Sequence, residues 1–270
     1  MSVLSKGFHV SIATLVFAIG LIQISASAKA ADPGRAGSPA HVKAVAFDYF
    51  VLFNPDSVIP EVERTFPGRG REVTTLWRTR QFEYAWLRSM MGSYADFFQV
   101  TGDSLQYAAN SLKLELGAED KRRILNAFLH LTPWPDAADA LRQLKESGLR
   151  VVTLANFSPL MLKSNAENAG LIGFFDDLIS TDANHTYKPD PRAYRLGIDH
   201  LHLAKQEVVF AAFGGWDAAG AKSFGYPTFW VNRFNQAVEE LGVRPDGMST
   251  NLDGLLQFVQ ARTPGTKSPH

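Results

Sequence analysis

A chain of 270 residues with 46% hydrophobic, 11% aromatic and 20% charged side chains has the make-up of a globular protein and excludes a wholly disordered one. Lysine plus arginine equals aspartate plus glutamate at 27 each, so no basic excess exists to neutralise phosphates, and nucleic acid is not an expected partner. The absence of cysteine excludes disulfides, thiolate nucleophiles and cysteine-based zinc sites.

The chain opens with Lys6, an uncharged apolar run from Val10 to Ile22, and the small residues Ser25-Ala26-Ser27-Ala28-Lys29-Ala30. This is the layout of a secretory signal peptide over residues 1–30, cut after Ala28 or Ala30. The run is short for a membrane span; an uncleaved anchor is the alternative. Cleavage implies a secreted protein, with the periplasm as the expected location and no membrane attachment afterwards. A cysteine-free domain suits that oxidising compartment. Residues 31–40 (ADPGRAGSPA) read as a linker, and residues 263–270 as a disordered tail.

Val42 to Phe47 is a short apolar strand with Asp48 directly after it. Leu149 to Ala155 repeats the pattern and ends at Asn156; Val208 to Phe213 does so again before Gly214-Gly215, and Pro227 to Val231 is a fourth. Short unbroken apolar runs predict strands buried on both faces, hence a parallel sheet. Helices are predicted between them, over Asp136–Ser147, Pro159–Ala169 and Pro191–Leu201, the last two opening on proline. The fold class is therefore α/β, a doubly wound parallel sheet, and its ligand site is expected beyond the carboxyl ends of the strands. The core takes residues 41–56 and 134–262. Residues 57–133 lack strand signals and carry aromatic helical text (Leu76-Trp77-Arg78, Phe82, Tyr84, Trp86-Leu87, Tyr94, Phe97-Phe98), which predicts a helical cap inserted after the first strand.

Asp48, at a strand end, can act as a nucleophile if a cation keeps it ionised. A helix-cap aspartate is the competing reading. Lys188 sits in the rigid turn Tyr187-Lys188-Pro189-Asp190-Pro191, where a plain surface lysine is the competing reading. Asp217 follows Gly214-Gly215-Trp216, whose glycines permit a sharp turn. That stretch matches neither a dinucleotide fingerprint nor a P-loop.

Taken in order, Asp48, Asn156-Phe157-Ser158, Lys188-Pro189-Asp190-Pro191 and Trp216-Asp217 resemble the four motifs of the haloacid dehalogenase superfamily. Phe66-Pro67-Gly68-Arg69-Gly70, Leu76-Trp77-Arg78, Glu83 to Arg88, Tyr94 to Phe97 and Trp216 to Lys222 are similar to the type II (S)-2-haloacid dehalogenases. The resemblance runs from about Val42 to Leu256. It implies that Asp48 attacks C2 of a short 2-haloalkanoate, inverts it and forms an ester, which water then opens to the 2-hydroxy acid. Arg78, from the cap, would bind the departing halide with Asn156 and Trp216. Lys188 would keep Asp48 ionised, and Asp217 would hold Lys188 and orient the water. Tyr194 matches an active-site tyrosine of the family, placed among the substrate-binding groups. Phe50, Phe82, Phe97 and Trp216 would form an apolar wall. Superfamily phosphatases carry a second aspartate where this chain has Phe50, so neither phosphoryl transfer nor a metal or other cofactor is expected. The family also implies a homodimer.

The chain departs from the family pattern near the nucleophile. The first motif is one residue shorter, with Val51 or Leu52 in place of a threonine. Ala155 replaces the serine that grips the substrate carboxylate, and Ala212-Phe213-Gly214 replaces Ser-Ser-Asn. The expectation is slow turnover or an ester that accumulates on Asp48. The alternative is a secreted protein that binds small carboxylates without converting them.

Overall fold

A computed structural model describes residues 41–263. The signal peptide, the linker and all of the tail except Thr263 lie outside the described residues. Thr263 follows the last helix, its N–H donating to the Gln260 carbonyl at 3.2 Å.

The core is one six-stranded sheet, every neighbouring pair parallel, in the order β3-β2-β1-β4-β5-β6. The strands are β1 (Ala44–Phe47), β2 (Arg150–Ala155), β3 (Asp177–Ser180), β4 (Val208–Ala212), β5 (Thr228–Val231) and β6 (Gly247–Ser249). The four apolar runs became the inner strands. The two edge strands, β3 and β6, lacked such runs: Asp177 and Leu178 are only half-buried, and Gly-Met-Ser carries no apolar alternation.

Helices cover both faces. Val45 and Phe47 of β1 face one layer, α6 (Ala137–Glu146), α7 (Pro159–Asn168) and α10 (Leu252–Gln260). Ala44 and Ala46 face the other, α8 (Pro191–Leu201) and α9 (Gly215–Phe224). The alternation follows from the two-residue period of a strand, and burial of both faces explains why the runs are apolar throughout. No described helix is long and apolar enough to cross a membrane.

Directly after β1 the chain makes one helical turn, α1 (Tyr49–Leu52), and then leaves the core. The departure and return are stitched together: Phe53 and Pro133 form an antiparallel bridge, Asn54 N–H donates to the Thr132 carbonyl at 2.8 Å, and Trp134 N–H to the Leu52 carbonyl at 2.9 Å. Between these points lie the cap helices α2 (Ile59–Thr65), α3 (Gly70–Met90), α4 (Phe97–Ser111) and α5 (Ala118–Ala127). One stripe of α3, Val73, Trp77, Gln81 and Ala85 at four-residue spacing, is buried. Polar members of the stripe are satisfied by α4: the Trp77 indole N–H donates to the Thr101 carbonyl at 2.8 Å, and the Gln81 amide to the Thr101 hydroxyl. With that stripe buried, the adjoining face, Thr74, Arg78 and Phe82, is turned toward the carboxyl end of the sheet.

Candidate active site

β1 is the inner strand flanked by β2 and β4, so its end, Asp48, lies at the middle of the sheet's carboxyl edge. The two oxygens of Asp48 have different partners. Oδ1 accepts from the Phe50 N–H at 3.0 Å and caps α1; Oδ2 accepts from Lys188 Nζ at 2.8 Å. Lys188 is fully buried and also donates to Asp217 Oδ2 at 2.7 Å. One ammonium therefore bridges two carboxylates. Burial pulls the lysine pKa down, but the paired carboxylates outweigh it and hold the group above the usual lysine range. Asp217 is raised as well, but here burial wins: it lifts the carboxyl to about 6 against the pull of Lys188, and the neighbouring Asp48 adds to the rise. A single cation does not compensate a second buried negative charge fully.

The cavity above Asp48 has a volume of about 400 Å³ and is walled by Phe50, Phe82, Phe97, Phe157, Phe213 and Trp216, among others. Arg78 enters it from the cap. Its Nη1 donates to Gln81 Oε1 at 2.7 Å, and its guanidinium carbon lies 4.1 Å from the centre of the Phe50 ring. Asp56 and Asp48 act on it only through space. One edge faces the cavity while protein surrounds the rest, and this burial lowers its pKa to about 10. It stays a cation at neutral pH, in an aromatic setting where a charge is poorly screened.

Asn156 is oriented by its oxygen. Oδ1 accepts from the Lys188 N–H at 2.9 Å and from the Thr181 hydroxyl at 3.3 Å; the buried Nδ2 of this cavity-lining residue has no partner among the described residues. Trp216 packs edgewise on Phe82 and Trp86. Its Nε1 lies 2.7 Å from where a side-chain carbon on residue 214 would sit, so the bare backbone of Gly214 is what admits the indole.

The structure thus brings Phe50, Arg78, Phe82, Phe97, Asn156 and Trp216 onto one cavity around Asp48. Lys188 and Asp217 stand behind Asp48, outside the cavity wall. Tyr194 requires a correction: it does not reach the substrate space. It lies on α8, fully buried among residues of the opposite sheet face, and its phenol donates to Asp217 Oδ1 at 2.7 Å. It is a brace for the carboxylate. Gly220 makes room for it, since a side-chain carbon there would lie 2.4 Å from the phenol oxygen.

Sequence reasoning missed the support of the shortened nucleophile turn. The Phe50 carbonyl accepts from the Trp134 indole at 3.0 Å, and the Val51 carbonyl from Arg233 Nη2 at 2.9 Å. Arg233 is held in turn by both oxygens of Asp136, at 2.7 and 2.8 Å. These partners come from 84 and 182 residues away, so no local pattern signals them. The apolar wall was also wider than expected. Phe157 and Phe213 belong to it, and each follows a strand end, a position where the sequence had drawn attention only to its polar neighbours.

Comparisons with known proteins agree with this geometry. The family model for haloacid dehalogenase-like hydrolases matches residues 42–225. The (S)-2-haloacid dehalogenase of Pseudomonas sp. (strain YL) is 40% identical over 221 residues, covering 82% of this chain and 95% of that one. Haloacetate dehalogenase H-2 of Moraxella sp. (strain B) is 37% identical, covering 81% of this chain and 98% of that one. Among solved structures, the L-2-haloacid dehalogenase of Xanthobacter autotrophicus with chloropropionic acid covalently bound superposes with a TM-score of 0.77 at 36% identity, over 81% of this chain and 98% of that one. With the strand-end aspartate, the buried lysine and the inserted cap all in place, the chain belongs to the haloacid dehalogenase-like hydrolases, in their (S)-2-haloacid dehalogenase branch.

Proposed function

We propose that the protein hydrolyses the carbon–halogen bond of short (S)-2-haloalkanoic acids to give (R)-2-hydroxy acids through an ester on Asp48. The observation that carries this reading is the placement of Asp48, held by Lys188, and Arg78, cationic and without a bonded carboxylate among the described residues, on one aromatic-walled cavity.

An Asp48 oxygen bonds to C2 as the carbon–halogen bond breaks, and the halide leaves with the bonding pair. No acid is needed, because a halide is a stable anion. Arg78, the Asn156 amide and the positive indole edge of Trp216 receive it. The wall of phenylalanines keeps water away and strengthens these electrostatics. Water then attacks the ester carbonyl of Asp48, and the ester C–O bond breaks. One proton of the water passes to the departing alkoxide, and the carboxyl loses the other to solvent beside Lys188. Asp217, braced by Tyr194, holds Lys188 beside Asp48; lying outside the cavity wall, it does not reach the attacking water as the sequence had suggested. A covalently held chloropropionic acid in the Xanthobacter relative supports the ester.

Hydrolysis is the slower half in this reading, because Ala155 and Gly214 supply no polar side chain near the ester. A carboxylate-binding protein without turnover is the second reading those two positions favour. Incubation with (S)-2-chloropropionate separates the two. Chloride release by wild type and none by Asp48→Asn supports the enzyme, as does mass spectrometry showing propionate attached to Asp48. Neither chloride nor adduct overturns it. We further propose export directed by residues 1–30, tested by fractionating cells, and a homodimer, tested by light scattering on the mature chain.

A further inference from the structure

Arg78 is a cation of the cavity wall, and its hydrogen-bond partner among the described residues is a neutral side chain, Gln81. The bond runs from Nη1 to Oε1 at 2.7 Å across one turn of α3, a spacing that brings helical side chains together. Gln81 is fully buried, and its other end is engaged as well: the amide nitrogen donates to the Thr101 hydroxyl on α4. That hydroxyl has one proton, which it gives to the Phe97 carbonyl. It can therefore only accept from Gln81, and must meet the amide nitrogen. Arginine carries no acceptor, so it must meet the amide oxygen. Both ends demand the same orientation of the amide. The chain of bonds from Arg78 through Gln81 and Thr101 to the Phe97 carbonyl runs in one direction and ends on the backbone.

The rings around Arg78 do a different task. Its guanidinium carbon lies 4.1, 5.2 and 5.7 Å from the centres of Phe50, Phe82 and Phe128. Aromatic faces attract a cation but do not set the direction of its N–H bonds. The bond to Gln81 does, by fixing which edge of the guanidinium is turned to the protein and which to the cavity. Neutrality of the partner matters as much as its position. Glutamate has the same shape, but its carboxylate would pair with the guanidinium and cancel much of its field in the cavity. Glutamine holds the group and leaves its charge for an anion. A halide gains that negative charge as the carbon–halogen bond breaks, so a guanidinium already aimed at it lowers the barrier.

We propose that Gln81 is a positioning residue for halide departure, a neutral acceptor that aims the Arg78 guanidinium at the leaving halide without cancelling its charge. Gln81 touches no reacting atom and exchanges no proton. This rests on the dehalogenase reading, so bromide-ion binding is measured by calorimetry, apart from turnover. Ester formation on Asp48 is then timed by rapid quench and mass spectrometry, at saturating (S)-2-chloropropionate and (S)-2-bromopropionate. Gln81→Glu keeps the volume and adds a charge; Gln81→Met removes the acceptor. Gln81→Glu is expected to weaken bromide binding about tenfold or more, the usual worth of a hydrogen bond to a charged group. Both variants are expected to slow ester formation. Chloride, the poorer leaving group, should suffer more, so the bromo-to-chloro rate ratio rises severalfold. The ester, once formed, should hydrolyse at the wild-type rate. A merely structural loss would slow both halogens by the same factor, and that result overturns the proposal. Bromide binding unchanged in Gln81→Glu, or absent from wild type, overturns it as well. If Gln81→Met does not fold, Gln81→Glu decides alone. A wild type that forms no ester yet binds bromide in a Gln81-dependent way sinks the turnover reading and leaves the anchor of Arg78 standing. Normal ester formation with the halogen ratio unmoved in the variants does the reverse.

Discussion

Lys188 Nζ stands 2.8 Å from Asp48 Oδ2, and the remaining reach of the ammonium is taken by Asp217 at 2.7 Å. Removing the lysine leaves two carboxylates facing each other in a buried space. Breaking a buried pair from one side costs roughly 3–5 kcal/mol. Lys188→Met is therefore expected to lose stability of that order in urea unfolding and to lose chloride release altogether. Lys188→Met combined with Asp217→Asn is expected to regain part of the stability and none of the activity, because one stranded charge has been neutralised while Asp48 still lacks its cation. Equal stability of the two variants would show that the charges are not coupled.

The raised carboxyl of Asp217 sets a pH dependence. Its pKa near 6 means that it takes up a proton as pH falls through that value, and Lys188 loses one of the two carboxylates that hold it beside Asp48. The rate of ester hydrolysis is expected to fall on the acid side of about 6. Tyr194 holds that pKa down by donating to the charged form. Tyr194→Phe removes the donor, so the acid limb should move to higher pH, with kcat at pH 7 lower by roughly tenfold, one hydrogen bond to a charged group. The stability sign is opposite. A carboxyl raised by folding favours its protonated form, so its contribution is most favourable below the unfolded carboxylate range. That contribution is lost as pH rises through about 6. A pH-rate profile whose acid limb is the same in wild type and Tyr194→Phe would refute the brace.

Gly220 offers an independent probe of the same contact. A side-chain carbon there would lie 2.4 Å from the Tyr194 oxygen and 2.8 Å from Pro189 Cβ. Gly220→Ala is expected to cost about 1–3 kcal/mol by overpacking and to copy the kinetic defect of Tyr194→Phe. The double variant should be more stable than Gly220→Ala alone, since the phenol oxygen is the nearest atom in the clash. Simple additivity of the two changes would rule out the contact as the cause.

The parts of this site that were legible in the sequence share a physical basis. Asp48, Asn156 and Asp217 stand at or just after the ends of apolar runs, and an α/β sheet gathers such positions at one edge. Lys188 was visible through its flanking prolines. The cap could be read from aromatic text without strand signals. Hidden from sequence were contacts fixed only by packing: the brace role of Tyr194 and the phenylalanines that widen the wall. β3 and β6 escaped because an edge strand needs only one buried face and three or four residues. The apolar replacements at Val51 and Ala155 were plain in the sequence, but the compensating support of the turn by Trp134 and Arg233 was not.

That support carries the last prediction. Arg233, largely buried, ties the Val51 carbonyl to both oxygens of Asp136, whose Oδ2 also accepts from the Leu252 N–H at 3.0 Å. The arrangement lies on the far side of the turn from the substrate, so it acts on Asp48 only through the backbone of α1. Arg233→Met keeps the length of the side chain and removes the donors, stranding Asp136 and the carbonyl together. Stability should fall by about 3 kcal/mol, as for one-sided loss of a partly buried pair. Because the turn sets where the carboxylate points, kcat should fall tenfold or more, a small displacement being enough for that loss. KM should change little, since no atom of Arg233 lines the cavity. Arg233→Lys restores the charge without the planar fork and should recover stability better than it recovers kcat. A variant that loses stability while kcat stays at the wild-type value would reduce the latch to a structural pair with no hold on the nucleophile.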